Sequence, residues 1–159
     1  KQLDSVCDVI SFGVVPGYFM HKYLSDFLPY ELVPLSLLAF VVTLASIYRL
    51  ARFNITPSSQ LYFQGMPTPA FALFVIGIPF IPYEINPIII TVIVALLTVL
   101  MVSKIMLPSQ KFVKGKPSNF FWIFAVISIP ILLIFRSQAL SLTVLSYAVF
   151  GMLYMRLKA

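Results

Sequence analysis

Asp4 and Asp8 stand four residues apart in the opening stretch KQLDSVCDVISFGVVPG. The chain holds only five acidic residues, so two of them inside one apolar run need a physical reason. On a helix, positions four apart share a face, with Cβ atoms about 5–6 Å apart. Two bare carboxylates so placed repel each other, and a charge in an apolar medium costs several kcal/mol. A proton, an arginine or a metal must compensate. A hard divalent cation held by carboxylate oxygens is the most economical of the three, and Mg²⁺ bound in this way usually also holds a phosphate. The pair is too small a ligand set for such a site, so further carboxylates are expected from elsewhere.

Composition places this pair in a membrane. Hydrophobic residues make up 60% of the 159 and charged residues 10%, against about 45–50% and about 25% in soluble domains. Mean hydropathy is +1.00. A soluble fold of this length could not hide so much apolar surface. Apolar runs near the bilayer-spanning length of about 17–25 residues, broken by proline and polar punctuation, predict six helical segments. They lie roughly at 3–28, 31–53, 67–82, 86–107, 119–135 and 138–157. The expected fold is all-α: a polytopic transmembrane helix bundle, forming a single integral-membrane domain over 1–159. The third segment, PTPAFALFVIGIPF, is short and proline-rich, so it is expected to kink or to pack inside the bundle. Cys7, the single cysteine, has no internal disulfide partner and reads as a small buried apolar residue.

Orientation follows from the bias of cations towards cytoplasmic loops. Threading six spans puts Lys1, Arg49, Arg52, Lys104, Lys111, Lys114, Lys116, Arg156 and Lys158 on one side, against Lys22 and Arg136 on the other. The first side is expected to be the cytoplasmic face of a bacterial-type inner membrane. Asp4 and Asp8 then lie near the cytoplasmic end of the first helix, and Arg49 and Arg52 return to the same level at the end of the second.

Arg49 and Arg52, one turn apart, can face one cavity. They serve either as headgroup anchors or as a grip on a phosphate or carboxylate, for which a guanidinium fork is well suited. Asn54 could add an orienting hydrogen bond. Ser11 shares the face of Asp8 and is a candidate substrate contact. Gly13 and Gly17 form a G-x-x-x-G pattern whose usual meaning is close helix packing, with a kink from Pro16 widening the cavity. In Pro67-Thr68-Pro69 the prolines suit a first helical turn, and Thr68 is a candidate for the acceptor pocket. The lysines at 111, 114 and 116 read as a topology signal attracted to anionic lipid; nucleic acid is not an expected partner. His21 falls on the far side as an interfacial residue, and Trp122 reads as part of an aromatic belt.

D-S-V-C-D at 4–8 followed by SFGVVPG resembles the second half of the signature of the CDP-alcohol phosphatidyltransferases, D-x-x-D-G-x-x-A-R … G-x-x-x-D-x-x-x-D. Asp4 and Asp8 match its third and fourth aspartates. With RLARFN at 49–54 and F-x-G-M-P-T-P-A at 63–70, the chain is similar to the phosphatidylserine synthase branch over roughly residues 1–80. The resemblance implies transfer of a phosphatidyl group from CDP-diacylglycerol to serine with release of CMP, assisted by Mg²⁺ or Mn²⁺. It implies Asp4 as a metal ligand, and Asp8 as general base that also touches metal. Ser11, Arg49, Arg52, Asn54 and Thr68 are the candidate substrate contacts, and a second copy in a homodimer is a candidate partner beside the membrane lipids. The signature's first half would fall before Lys1, so the complete protein is expected to have eight spans and this chain alone negligible turnover. Other readings are a glycerol phosphate or inositol-type acceptor, an ion-coupled transporter using Asp4 and Asp8, and a non-catalytic membrane subunit.

Overall fold

The computed structural model describes residues 2–55, 62–81, 86–108 and 119–158, and most of them are helical. Helix α1 (Gln2–Val9) runs through a π-helical turn (Ile10–Val14) into α2 (Val15–Phe27). A 3-10 stretch at Tyr30–Leu38 leads into α3 (Ala39–Ile55). Strand β1 (Tyr62–Gln64) precedes α4 (Thr68–Gly77), which ends in a 3-10 turn, Ile78–Phe80. Then come α5 (Pro87–Val102), β2 (Met106–Pro108), α6 (Asn119–Phe135), a 3-10 turn at Arg136–Gln138, and α7 (Ala139–Lys158).

All six expected segments are helical, and their ends have local causes. Pro34 sits inside the 3-10 stretch; it can neither donate a backbone hydrogen bond nor leave room for the preceding turn, so regular helix begins only at Ala39. Pro67 precedes α4 and Pro69 lies in its first turn, as the P-T-P pattern suggests. Asn86 caps α5, its side-chain oxygen accepting from the Ile88 N–H at 2.9 Å, with Pro87 at the first helical position. The fourth segment stops at Val102, five residues before its expected end, because the chain turns there into a strand.

That strand is a departure from a wholly helical fold. β1 and β2 pair antiparallel, Phe63 opposite Leu107, and join the connections that follow α3 and α5. Gly65, at φ 71°, lets the chain lie flush on the end of α5. Its N–H donates to Ile105 O at 2.8 Å, and a Cβ there would strike the Met101 carbonyl. Lys111, Lys114 and Lys116 lie outside the described residues.

The short α4 packs inside the bundle, one of the two outcomes expected for it. Phe71, Phe74 and Val75 are fully buried, alongside Met20, Met66, Met101 and Phe120. Gly77 meets α7 so closely that a Cβ would lie 2.8 Å from the Ser141 nitrogen. The Ser141 hydroxyl donates to Phe74 O at 2.9 Å.

The outside of the bundle is apolar. Leu96 and Val99 on α5, and Val126, Leu133 and Ile134 on α6, all stand more than 60% exposed, which water tolerates poorly over so large a patch. Among the described residues, Ala139–Leu157 is long and apolar enough to cross a bilayer. Thr68–Phe80, Pro87–Val102 and Phe120–Phe135 are apolar but shorter.

Candidate active site

The π-helical turn begins two residues after Asp8. Its signature is the Val15 N–H donating to Ile10 O, one residue further back than in an α-helix. Pro16 has no N–H to offer Phe12 O in the α-helical pattern. Helix α3 supplies a substitute: the Ser46 hydroxyl donates to Phe12 O at 3.3 Å, and the Thr43 hydroxyl donates to Gly13 O at 3.1 Å. These bonds require close approach, and the glycines allow it. A Cβ on Gly13 would lie 2.9 Å from Ser46 Cβ, and one on Gly17 would collide with the Thr43 hydroxyl. The G-x-x-x-G pattern therefore packs two helices, as its sequence suggests.

Nearer the helix ends, the Asn54 side-chain amide donates to Ser5 Oγ at 2.9 Å. With the contacts at Phe12 and Gly13 this fixes an antiparallel register. It sets Asp8 level with the turn of α3 that carries Arg49 and Arg52. Asn54 thus bonds beside Asp4, an orienting role within the protein.

Asp4 is exposed, Asp8 is half-buried and Ser11 is exposed. Among the described residues neither aspartate has an ion-pair or hydrogen-bond partner. The ion pair found there, Lys22 to Asp26 at 2.8 Å, sits at the opposite end of the same helical run. An arginine tether for the carboxylates is not what the described residues form. Cys7, expected to be buried, is exposed instead, because it shares a side of the helix with the exposed Ile10 and not with Ser5, which meets α3. His21 lies near the Lys22–Asp26 end, its ring 5.3 Å from that of Phe40.

The two arginines part company. Arg52 donates to Val102 O at 3.1 Å, to Ser103 O at 3.4 Å and to the Gln64 side-chain oxygen. It therefore caps the end of α5, where free carbonyls and the negative end of the helix dipole favour a cation, and ties that end to β1. Arg49 points instead into the bundle and is only 8% exposed. Its one hydrogen bond among the described residues is a long one, 3.4 Å to Thr68 Oγ1, and its buried Nε has no acceptor there. Thr68 is itself 1% exposed. Three positions along a helix leave side chains about 60° apart in azimuth, enough to send one arginine to α5 and the other to α4.

The donor set bears on a metal. Asp4 and Asp8 supply hard carboxylate oxygens, the donor chemistry that a divalent Mg²⁺ or Ca²⁺ ion takes. Among the described residues no group of three or more His, Cys, Asp or Glu converges, so the pair is at most part of a complete site.

No protein-family model matches the chain. It is 33% identical over 152 residues to the CDP-diacylglycerol–serine O-phosphatidyltransferase of Methanocaldococcus jannaschii, an alignment covering 96% of this chain and 68% of that protein. It is 32% identical over 111 residues to the protein of the same name from Bacillus subtilis, covering 70% of this chain and 59% of the relative. It is 36% identical over 73 residues to the archaetidylserine synthase of Methanothermobacter thermautotrophicus, covering 46% of this chain and 30% of the relative. The chain thus spans roughly three fifths to two thirds of the length of its longer-matching relatives. Identity of one third along nearly the whole chain, together with the aspartate pair on its packed helix, shows that the chain belongs to the CDP-diacylglycerol–serine O-phosphatidyltransferase family.

Proposed function

We propose that the protein built on this chain transfers a phosphatidyl group from CDP-diacylglycerol to the hydroxyl of serine, releasing CMP and forming phosphatidylserine. The observation that carries the reading is the carboxylate of Asp8, unpaired among the described residues, beside a π-helical turn. In a bundle this apolar, an ionisable group without a protein partner implies a ligand or a proton. The printed names of the relatives share serine as acceptor, while the lipid they name differs between phosphatidyl and archaetidyl.

In this reading the bundle is a polytopic membrane domain over 1–159, with the ends of α1 and α3 that carry Asp4, Arg52 and Asn54 at the cytoplasmic face. CDP-diacylglycerol arrives from the bilayer and serine from the cytoplasm. The serine hydroxyl gives its proton to the Asp8 carboxylate as its oxygen bonds to the phosphorus that carries diacylglycerol. The bond from that phosphorus to the CMP oxygen breaks, and CMP leaves with the electron pair. Asp4 and Asp8 would be two of the donors to Mg²⁺ or Mn²⁺, which when bound neutralises pyrophosphate charge that otherwise repels the nucleophile. Ser11, on the Asp8 face, lines the path of the acceptor. Thr68 and Asn54 act by holding Arg49 and Ser5, and Arg52 fixes the end of α5.

The test uses the full-length protein in detergent. Asp8→Asn is expected to lower serine-dependent CMP release by about 10²–10⁴-fold with an unchanged circular dichroism spectrum. Activity retained within a few-fold would remove Asp8 as the base.

A further inference from the structure

We infer that Arg49 is the acceptor-selecting residue, a single buried cation that recognises the carboxylate of the incoming amino acid. This rests on the serine-acceptor reading above and goes beyond it by naming the group recognised and the residue that recognises it. A guanidinium more than nine-tenths buried, with an unpaired Nε and one long bond to Thr68 among the described residues, is an incomplete arrangement. Buried charges are ordinarily paired, and a buried N–H without an acceptor costs as much as a lost hydrogen bond. An anion completes the site. Its charge follows from counting cations among the described residues on this side of the bundle. Arg52 is committed to two carbonyls and an amide oxygen, and Lys104 and Arg156 are exposed. One guanidinium balances one carboxylate, and its planar fork matches that group's two oxygens. A phosphorylated acceptor carries nearly twice the charge and would leave an anion unbalanced in a low-dielectric interior. The register of α1 on α3 places Arg49 level with Asp8, and in this assignment an amino acid held by its carboxylate turns its hydroxyl toward the base.

The test separates binding from turnover, with full-length protein in detergent and calorimetric titration of L-serine and of serinamide, which lacks the negative charge. Wild type is expected to bind serine at least about tenfold more tightly than serinamide. Arg49→Gln should weaken serine about 10–100-fold, as loss of a charge-assisted pair does, and leave serinamide unchanged. Arg49→Lys should recover part of the loss. The Michaelis constant for CDP-diacylglycerol should stay within about twofold, since the donor's phosphates are not this residue's ligand. Thr68→Val, which keeps the charge but frees the guanidinium, covers the case in which Arg49→Gln does not fold; it should weaken serine a few-fold and spare serinamide. Equal loss for both ligands, unchanged serine affinity, or a loss confined to CDP-diacylglycerol would overturn the assignment. Serine binding without CMP release would sink the proposed reaction but keep this site. CMP release that Arg49→Gln leaves untouched would sink the site alone.

Discussion

Two of the bundle's seams use a hydroxyl aimed at a carbonyl of the neighbouring helix. Between α4 and α7, Ser141 bonds to Phe74 O, Gly77 admits the close approach, and the surroundings are large buried side chains in regular helix. Between the π turn and α3, Ser46 and Thr43 bond to Phe12 O and Gly13 O. Here the backbone is irregular, the helix carries an interior proline, and a carboxylate without a partner among the described residues stands two residues away. The first seam spends its packing on stability. The second accepts an irregular turn, and its bonds to α3 set the level of Asp8 against Arg49. The comparison teaches that a small-residue contact is not in itself a sign of function. What marks the site is such a contact combined with a broken hydrogen-bond ladder and an unpaired charge.

The largest loss of stability should come from the purely structural seam. A Cβ on Gly77 would lie 2.8 Å from the Ser141 nitrogen and 3.1 Å from Leu140 Cβ, and the backbone of α7 cannot rotate away as a side chain could. Gly77→Val should destabilise by about 1–3 kcal/mol, as overpacking does, read as a fall in the midpoint of thermal unfolding in detergent. Turnover per folded molecule should stay near wild type. If the surviving Gly77→Val protein lost turnover as steeply as variants at the other seam, the division between the two would collapse.

Gly13→Ala is the sharper probe of the site seam. Its Cβ would press on Ser46 Cβ at 2.9 Å, so α3 must give by a few tenths of an ångström. Stability should fall by about 1 kcal/mol or a little more. Turnover should fall by about tenfold, since small misplacements of catalytic groups are costly and the shift acts directly on the level of Asp8 against Arg49. The same variant with unchanged turnover would show that the register of α1 on α3 does not tune the chemistry.

How far such features could be read beforehand differs between the seams. The helical segments were legible because apolar runs are bounded at Pro67, Asn86 and Pro87, residues that act through local backbone chemistry, whereas the 3-10 stretch around Pro34 was read as part of the second helix. The packing role of Gly13 and Gly17 was legible for the same reason, as spacing on one helix. The aspartate pair was legible as an anomaly of charge in an apolar run. The π turn was not, because it depends on Ser46 and Thr43, some thirty residues further along, reaching back to Phe12 and Gly13. Nor was the pairing of β1 with β2, which joins segments that only the packing of α3 on α5 brings together. Exposure of Cys7 and the separate destinations of Arg49 and Arg52 are likewise set by which neighbour each helix face meets, a matter of tertiary structure. Spacing alone put both arginines on one side; it could not say that carbonyls at the end of α5 would claim one of them.

The smallest expected effect compares the two hydroxyls. Ser46→Ala removes the bond to Phe12 O and a contact at 3.8 Å with the Met101 sulfur. Ser141→Ala removes the bond to Phe74 O. In a membrane bundle such hydrogen bonds average about 0.6 kcal/mol, so both variants should lose similar, small amounts of stability. They should differ in function. Ser141→Ala leaves a regular helix with its own ladder intact, and turnover should not change. Ser46→Ala removes the donor that α3 offers to the carbonyl facing Pro16, so the turn next to Asp8 can relax toward other geometries, and turnover should fall by about two- to fivefold, the order of that bond energy. Michaelis constants for serine measured on the pair sharpen this further: a change in kcat without a change in KM places the Ser46 effect on the position of the base, whereas a change in KM alone would move it to the acceptor pocket.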